Sequence, residues 1–312
     1  MRIAVLADIH ANFPALQAVL ADLEQVKPDL VVVNGDFVNR GPSNCQVIER
    51  LWNFEAEHGK VWFTLGNHDD LVLKWARQDP SLSNLYDDPL FVPAGWAAAQ
   101  LGQAHLDWID TLPFQVGIEE NGAAFGLDKL EGIGQNLFLR ATHGSPRHYR
   151  EGYDDHQSLD VLTEIAQDYP ARLLVGSHTH RPFMYGLEGS LFLNSGAVGA
   201  PFNGDTRAQY IVIEAGENQV ATSMARRLEP RKVQVDFRQI PYNLEAALRD
   251  FQTSGLLEEG GLGAQVFQLE LRLGRSFLTP FWMWASKAGL PRDEESWKLF
   301  QTAFPERFAG AT

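Results

Sequence analysis

Five short clusters of metal-ligand residues, each directly after an apolar run, dominate this chain. They are Asp8-Ile9-His10, Gly35-Asp36 through Arg40-Gly41, Gly66-Asn67-His68-Asp69, His143-Gly144 and Gly176-Ser177-His178-Thr179-His180. Among their residues are Asp8, Asp36, Asn67 and five histidines, enough for two metal ions with one histidine left for proton transfer. Side chains of these types are costly to bury unless paired or coordinated. A mixed nitrogen and oxygen donor set suits Mn²⁺, Fe²⁺, Zn²⁺ or Ni²⁺ better than Ca²⁺ or Mg²⁺. On an extended segment residues two apart face the same side, so Asp8 and His10 are expected to meet one ion together. His178 and His180 share that spacing.

The elements that position these clusters are readable around them. Residues 2–7, 30–33 and 61–65 are continuous apolar runs that read as strands, each ending at one of the first three clusters. Continuous rather than alternating apolar strands point to sheets buried on both faces. Helical spacing fills the gaps, with Leu16, Val19, Leu20, Leu23 and Val26 in one helix and Val47, Ile48, Leu51 and Trp52 in the next, Ser43 or Asn44 capping it. This βαβαβ opening sets three clusters at the carboxyl ends of successive strands, where open α/β sheets place their sites. Residues 69–115 read as helical and irregular, punctuated by Pro80, Pro89, Pro93 and Pro113. The aspartates there, from Asp69 and Asp70 through Asp87 and Asp88 to Asp110, read as solvated surface and helix starts. Strands follow at 114–118, 136–142, 172–175, 191–194, 210–213 and 220–226, with one helix around Leu159, Leu162 and Ile165. After Pro241 come a helix (Leu244, Ala247, Leu248, Phe251), a glycine-rich stretch at 255–263 and weak alternation over 264–274. The tail from Phe277 is rich in aromatic residues, which suits packing or a dimer contact better than a ligand box; it is also placed to cover a site mouth.

The order of the clusters resembles the calcineurin-like metallophosphoesterases. That pattern, D-x-H, G-D-x-x, G-N-H-D/E, a later H and G-H-x-H, is met block by block, with Ser177 set between Gly176 and His178. The run Phe37-Val38-Asn39-Arg40-Gly41 is similar to the G-D-x-V-D-R-G of the phosphoprotein phosphatase and dinucleotide tetraphosphatase branch, with Asn39 in place of aspartate. The segment from Asn194 to Gly199, and Ile240-Pro241-Tyr242, look like bacterial members. The resemblance implies an α/β fold, a four-layer α-β-β-α sandwich of two mixed β-sheets flanked by helices. It assigns residues 1–255 to a metallophosphoesterase domain and leaves 256–312 as an aromatic-rich C-terminal extension that packs on it or forms an interface.

Carried over residue by residue, the resemblance puts Asp8, His10, Asp36 and His180 on one ion and Asn67, His143 and His178 on a second, with Asp36 bridging. It implies two divalent transition-metal ions, Mn²⁺ first and Fe²⁺, Zn²⁺ or Ni²⁺ as alternatives. Such a pair clamps a phosphate and supplies a bridging hydroxide for in-line attack. His68 is implied to protonate the leaving oxygen. Its orienting partner in that branch is the aspartate that Asn39 replaces, and an amide does not favour an imidazole cation. Arg40 is the leading phosphate clamp, because its planar fork holds two phosphoryl oxygens. Arg147, His148, Arg150 and Arg181 follow ligand histidines and are further substrate candidates.

The implied activity is hydrolysis of phosphodiester or phosphomonoester bonds, diesters and nucleotides ahead. The alternatives are a phosphoprotein phosphatase of the same fold and a catalytically silent metal-binding scaffold for protein interaction; intact ligands and His68 argue against the scaffold. Composition narrows the partners. Over 312 residues, 26 Lys and Arg face 40 Asp and Glu, a net charge of −14, so phosphate must be met by local cations. That balance disfavours duplex nucleic acid and anionic membranes. The expected partner is a small phosphorylated substrate, a nucleotide among the candidates, with homo-oligomerisation through the aromatic tail. The single cysteine, Cys45, fits a reducing compartment. The first apolar run is too short for a signal peptide, and none approaches the ~18 residues of a membrane span, so a cytoplasmic location is expected.

Overall fold

In the computed structural model, which describes residues 1–128, 135–187, 189–216 and 232–310, the opening runs form neighbouring parallel strands. β1 (Arg2–Leu6), β2 (Leu30–Asn34) and β3 (Val61–Thr64) lie side by side, with Ile3 opposite Leu30 and Val31 opposite Val61. The crossovers are α1 (Phe13–Val26) and α2 (Asn44–His58). Asn12 caps α1 by accepting the Ala15 N–H, Pro14 sits in its first turn, and α2 stops at Gly59, whose left-handed φ of 73° suits a residue without Cβ. The stretch that follows contains α3 (Asn67–Ala76), α4 (Val92–Gln100) and α5 (Gln103–Asp110).

The chain then builds a second sheet. Its strands are β4 (Gln115–Ile118), β5 (Ala124–Leu127), β6 (Leu137–Thr142), β7 (Ala171–Gly176), β8 (Phe183–Leu187) and β9 (Ser190–Asn194), in the order β5-β4-β6-β7-β9-β8, with α6 (Leu159–Asp168) outside it. β6, β7 and β9 are parallel. β10 (Ala208–Gly216) and β11 (Lys232–Ile240) return to the first sheet, giving the order β11-β10-β1-β2-β3.

Strand periodicity distributes the core into layers. Ile3, Val5 and Val32 face inward against Val116, Phe138, Leu173, Val175 and Leu193 of the other sheet. Ala4, Leu6, Val31 and Val33 face out under Leu16, Val19, Val47 and Leu51 of α1 and α2. Leu174 and Phe192 pack outward against Leu162 and Ile165 of α6. The result is the four-layer α-β-β-α sandwich expected from the sequence.

Three features differ from the sequence expectation, and one expected strand is not described. β5, β8 and β11 carry no continuous apolar run because they are partly exposed edge strands. Residues 264–273 are helical, not alternating: Leu262, Val266, Phe267, Glu270 and Leu271 are buried along one face of α9 (Gly261–Leu273). Asp69 and Asp88 are buried rather than solvated. The strand expected at 220–226 lies outside the described residues. The chain continues after β11 through α7 (Leu244–Thr253), α8 (Leu256–Glu259), α9, α10 (Leu278–Ala288) and α11 (Glu294–Ala303). Ala247, Leu248 and Phe251 of α7 share a cluster with Leu256, Ala264, Phe267 and Leu271. Phe277, Phe281, Trp297 and Phe300 close on Leu90 and Val266. Among the described residues no helix is long and apolar enough to cross a membrane.

Candidate active site

Beyond the carboxyl ends of the strands the backbone turns left-handed. Asp8, His10 and Ala11 follow β1 at φ of 53°, 49° and 51°, and Asp36, Asn39 and Arg40 follow β2 at 56°, 67° and 69°. His178 and His180, after β7, stand at 64° and 59°. The extended spacing expected for Asp8 with His10, and for His178 with His180, is therefore not what gathers these side chains. Each such residue costs about 1–3 kcal/mol and persists only where its surroundings fix it.

Those surroundings are specific. The N–H groups of Asp8, His10 and Ala11 donate to the carbonyls of Gly35, Asp36 and Phe37 at 3.1, 3.0 and 2.8 Å, so the first two ligand loops are joined past the end of the sheet. The Asp69 carboxylate accepts from the N–H groups of Gly66, Asp36, Phe37 and Val38 at 3.0, 2.7, 2.8 and 3.3 Å. Burial, with Asp36 beside it, pushes the Asp69 carboxyl up to about 7. Val198 and Gly199 donate to the carbonyls of Ala7 and Asp8 at 2.9 and 2.8 Å. A Cβ on Gly199 would lie 1.7 Å from the Ile9 oxygen, so only glycine permits this approach. Beneath the loops Asn34 ties the two sheets together: it donates to the Thr142 carbonyl at 2.7 Å and to Ser177 Oγ at 3.0 Å, and accepts from Thr64 Oγ1 at 2.8 Å.

Three groups of carboxylate and imidazole atoms result: Asp8 with His10 and His180, His10 with Asp36 and His68, and Asp8 with Asp36 and His143. Within each, the ligand atoms lie within 4.8 Å of one another. His180 Nε2 is 3.2 Å from Asp8 Oδ1 and 3.2 Å from His10 Nε2. His143 Nε2 is 3.2 Å from both Asp36 Oδ2 and Asn67 Oδ1. The Nδ1 atoms of His143 and His180 meet the carbonyls of Asn34 and Ala200 at 2.8 and 2.5 Å. A carbonyl only accepts, so both rings carry a proton on Nδ1 and turn Nε2 inward, the orientation of a metal-ligating histidine. His178 stands at the margin, its ring 5.5 Å from that of His143 and its N–H donating to Asp8 Oδ2 at 3.1 Å.

The residues fit divalent metal. Asp8 Oδ1 and Asp36 Oδ2 are buried without a hydrogen-bond donor, although buried acceptors nearly always have one. Burial opposes a charge on His143, yet the Asp36 and Asp8 carboxylates push it up to about 10, a measure of the site's demand for positive charge. Burial drives His10 and His178 well below the usual imidazole range.

His68 lies in the first turn of α3 with its ring edge-on to His10, 4.9 Å between centroids. Its Nδ1 lies 2.9 Å from Asn39 Nδ2, while Asn39 Oδ1 accepts the Arg40 N–H at 2.7 Å. The amide therefore donates to Nδ1 and leaves the His68 proton on Nε2. Burial lowers His68 to about 3.

These residues open onto a cleft of about 750 Å³ that Arg40, Arg150 and Arg181 also line. Arg40 does not stand free: its guanidinium pairs with Glu270 of α9 and lies between the rings of Phe202 and Phe267, 5.3 and 4.5 Å from their centroids. Arg181 is exposed and donates to the Phe202 carbonyl at 3.3 Å. Arg147 is not among the lining residues. It is tied to Glu151 and Glu164, and Arg150 takes the place at the cleft expected of it.

A sequence profile of the calcineurin-like phosphoesterases matches residues 1–182, more than half of the chain. The chain belongs to that family. This phosphoesterase is a metal-dependent hydrolase. An uncharacterised protein of Methanocaldococcus jannaschii is 27% identical to it over 227 residues, 68% of this chain and 82% of that protein. Its fold is shared by a metallophosphoesterase from Sphaerobacter thermophilus, with TM-score 0.61 and 22% identity over 88% of this chain and 99% of that one. A hypothetical protein from Pyrococcus horikoshii gives TM-score 0.62 and 20% identity over the same shares, 88% and 99%.

Sequence reasoning missed three residues on which the phosphoesterase site leans. Asp69 stood inside a cluster but was read with its exposed neighbours. Asn34 closes β2 one residue ahead of a cluster, and its polarity at the end of an apolar strand was the available signal. Glu270 offered none, because a single acid in a helix reads as surface.

Proposed function

We propose that the site hydrolyses phosphodiester or phosphomonoester bonds of a small substrate at a two-ion centre. The observation that carries this reading is Asp36: its Oδ2 has no donor, lies 3.6 Å from His10 Nε2 and 3.2 Å from His143 Nε2, and so stands between two sets of nitrogen ligands. Asp8, His10, Asp36 and His180 would hold one ion, and Asp36, Asn67, His143 and His178 the other; the mixed nitrogen and oxygen donors suit Mn²⁺, Fe²⁺, Zn²⁺ or Ni²⁺ alike, and Mn²⁺ is placed first by the family resemblance. Divalent cations bound there supply Lewis acidity toward phosphoryl oxygens and acidify water near neutral pH. The chain's own contribution is orientation and charge stabilisation. His68, neutral with its proton on Nε2, donates a hydrogen bond to the departing oxygen; Asn39 holds that tautomer. Arg40, Arg150 and Arg181 draw the anionic group into a chain whose net charge of −14 opposes it. The cleft's size favours a small molecule, since such sites are commonly about 300–1,000 Å³. The lone Cys45, half-buried with its thiol donating to the Gln100 carbonyl, supports a reducing, cytoplasmic setting.

Metal-stripped protein, resupplied separately with Mn²⁺, Ni²⁺, Zn²⁺ or Mg²⁺, tests the reading on a mono-aryl and a bis-aryl phosphate. Turnover restored by a transition metal is expected, with His68→Ala lowering kcat by about 10²–10⁴. The ratio of the two substrates then decides between monoester and diester. Protein that binds two ions yet turns over neither ester with any metal would be a scaffold.

A further inference from the structure

Two unlike sets of side chains line the cleft. One is polar and exposed: Arg150 and His156 follow β6, and Arg181 follows β7. The other is apolar and helical: Leu71 of α3, Phe91 just ahead of α4, Ala94 within it, and Leu278, Pro280 and Trp282 of α10. Trp282 is braced. The Arg292 guanidinium lies 4.4 Å from its ring centroid, Phe91 meets it edge-on at 5.3 Å, and Arg292 is itself paired with buried Asp88. α10 is also anchored to the ligand loops. One Glu270 oxygen accepts from the N–H groups of Phe277 and Leu278 at 2.6 and 2.8 Å, while the other pairs with Arg40. No part of α10 falls within the residues matched by the family profile.

A phosphate needs no apolar surface; Arg150 and Arg181, with cations held by the ligand groups, would answer its charge. The braced aromatic wall must serve what the phosphate is attached to. We infer that α10 is the specificity element of this phosphoesterase, and that the substrate's alcohol side carries a planar aromatic group held against Trp282, Phe91 and Leu278. Flat rings match this wall because aromatic side chains prefer offset-stacked or edge-on partners. The inference rests on the phosphoesterase reading above and adds the class of ester.

Full-length protein reconstituted with Mn²⁺ is titrated calorimetrically with phenylphosphonate and methylphosphonate, which share the anionic group and differ in the ring. Phenylphosphonate is expected to bind about tenfold tighter, the scale that apolar pocket contacts reach. Trp282→Ala should bring the ratio of the two affinities toward one, and Trp282→Phe should keep it; a folding defect would weaken both probes together. Equal affinities in the parent protein, or a preference that survives Trp282→Ala, overturns the inference. Hydrolysis of a mono-aryl phosphate by the same preparation separates the two failures. Turnover without a phenyl preference sinks the aromatic wall alone, whereas no turnover with any metal sinks the underlying reading and this one with it.

Discussion

Because the Arg40 N–H occupies Asn39 Oδ1, the Asn39 amide presents only donors to His68 Nδ1, and the imidazole proton is left on the nitrogen that faces the cleft. An aspartate at position 39 would accept from Nδ1–H instead and reverse the tautomer. Long-range ¹H–¹⁵N correlation spectra are expected to show the Nε2–H form in the parent and Nδ1–H in Asn39→Asp; an Nδ1–H signal in the parent would remove the argument. At this scale the sequence was informative because metal ligands are polar residues in apolar surroundings, and such contrast survives in a linear string. Backbone conformation was not legible. Asp8, His10, Asp36, Asn39 and Arg40 are left-handed without a glycine to announce it, since backbone hydrogen bonds between loops far apart in sequence impose it.

Elements that gather these residues depend on a few clamps between distant parts of the chain. β11 is held to α1 by Arg238, which donates to Asp22 from Nε and one terminal nitrogen at 2.8 and 2.9 Å, while the Tyr210 hydroxyl donates to the same carboxylate. Burial raises the Asp22 pKa, but the Arg238 and Tyr210 hydrogen bonds outweigh it and the net shift is downward. A carboxyl lowered in the folded state stabilises the protein above its unfolded pKa of about 3.9, and the contribution is lost as pH falls through the folded value. Asp22→Asn should therefore cost about 1 kcal/mol at pH 7, discounted for partial exposure. The gap to the parent in urea midpoint should narrow below about pH 4; a constant gap would contradict the assignment. Gly199→Ala tests a closer contact. With a Cβ 1.7 Å from the Ile9 oxygen, the Asp8 loop must move, and equilibrium dialysis should show fewer than two ions per chain. The parallel strands were legible because burial on both faces leaves a continuous apolar run. The edge strands β5, β8 and β11 escaped because exposure erases that signal, and α9 escaped because its apolar positions follow a glycine-rich stretch that reads as loop.

At the scale of the whole molecule, a buried charge pair ties the loop after β2 to the C-terminal helices. Arg40 and Glu270 are 230 positions apart and both buried. Removing one partner strands the other in the interior, so Glu270→Ala is expected to cost about 3–5 kcal/mol by chemical denaturation. The double replacement Arg40→Met with Glu270→Leu should recover much of that loss while leaving catalysis impaired; a neutral Glu270→Ala would show that the pair is not structural. Long-range pairing of this kind leaves no trace in local sequence.

The Asn34 bridge carries a consequence for how the chain acquires its chemistry. Asp8, His10, Asp36 and Asn67 hang from one sheet, His143, His178 and His180 from the other, and Asn34 stitches the seam between them. On the two-ion reading proposed above, the seven ligands would be divided between the halves, and the full set would assemble only when the two sheets close. Under rising urea the bound ions should leave in the same transition that melts the interior, with no intermediate that keeps one ion and loses the other.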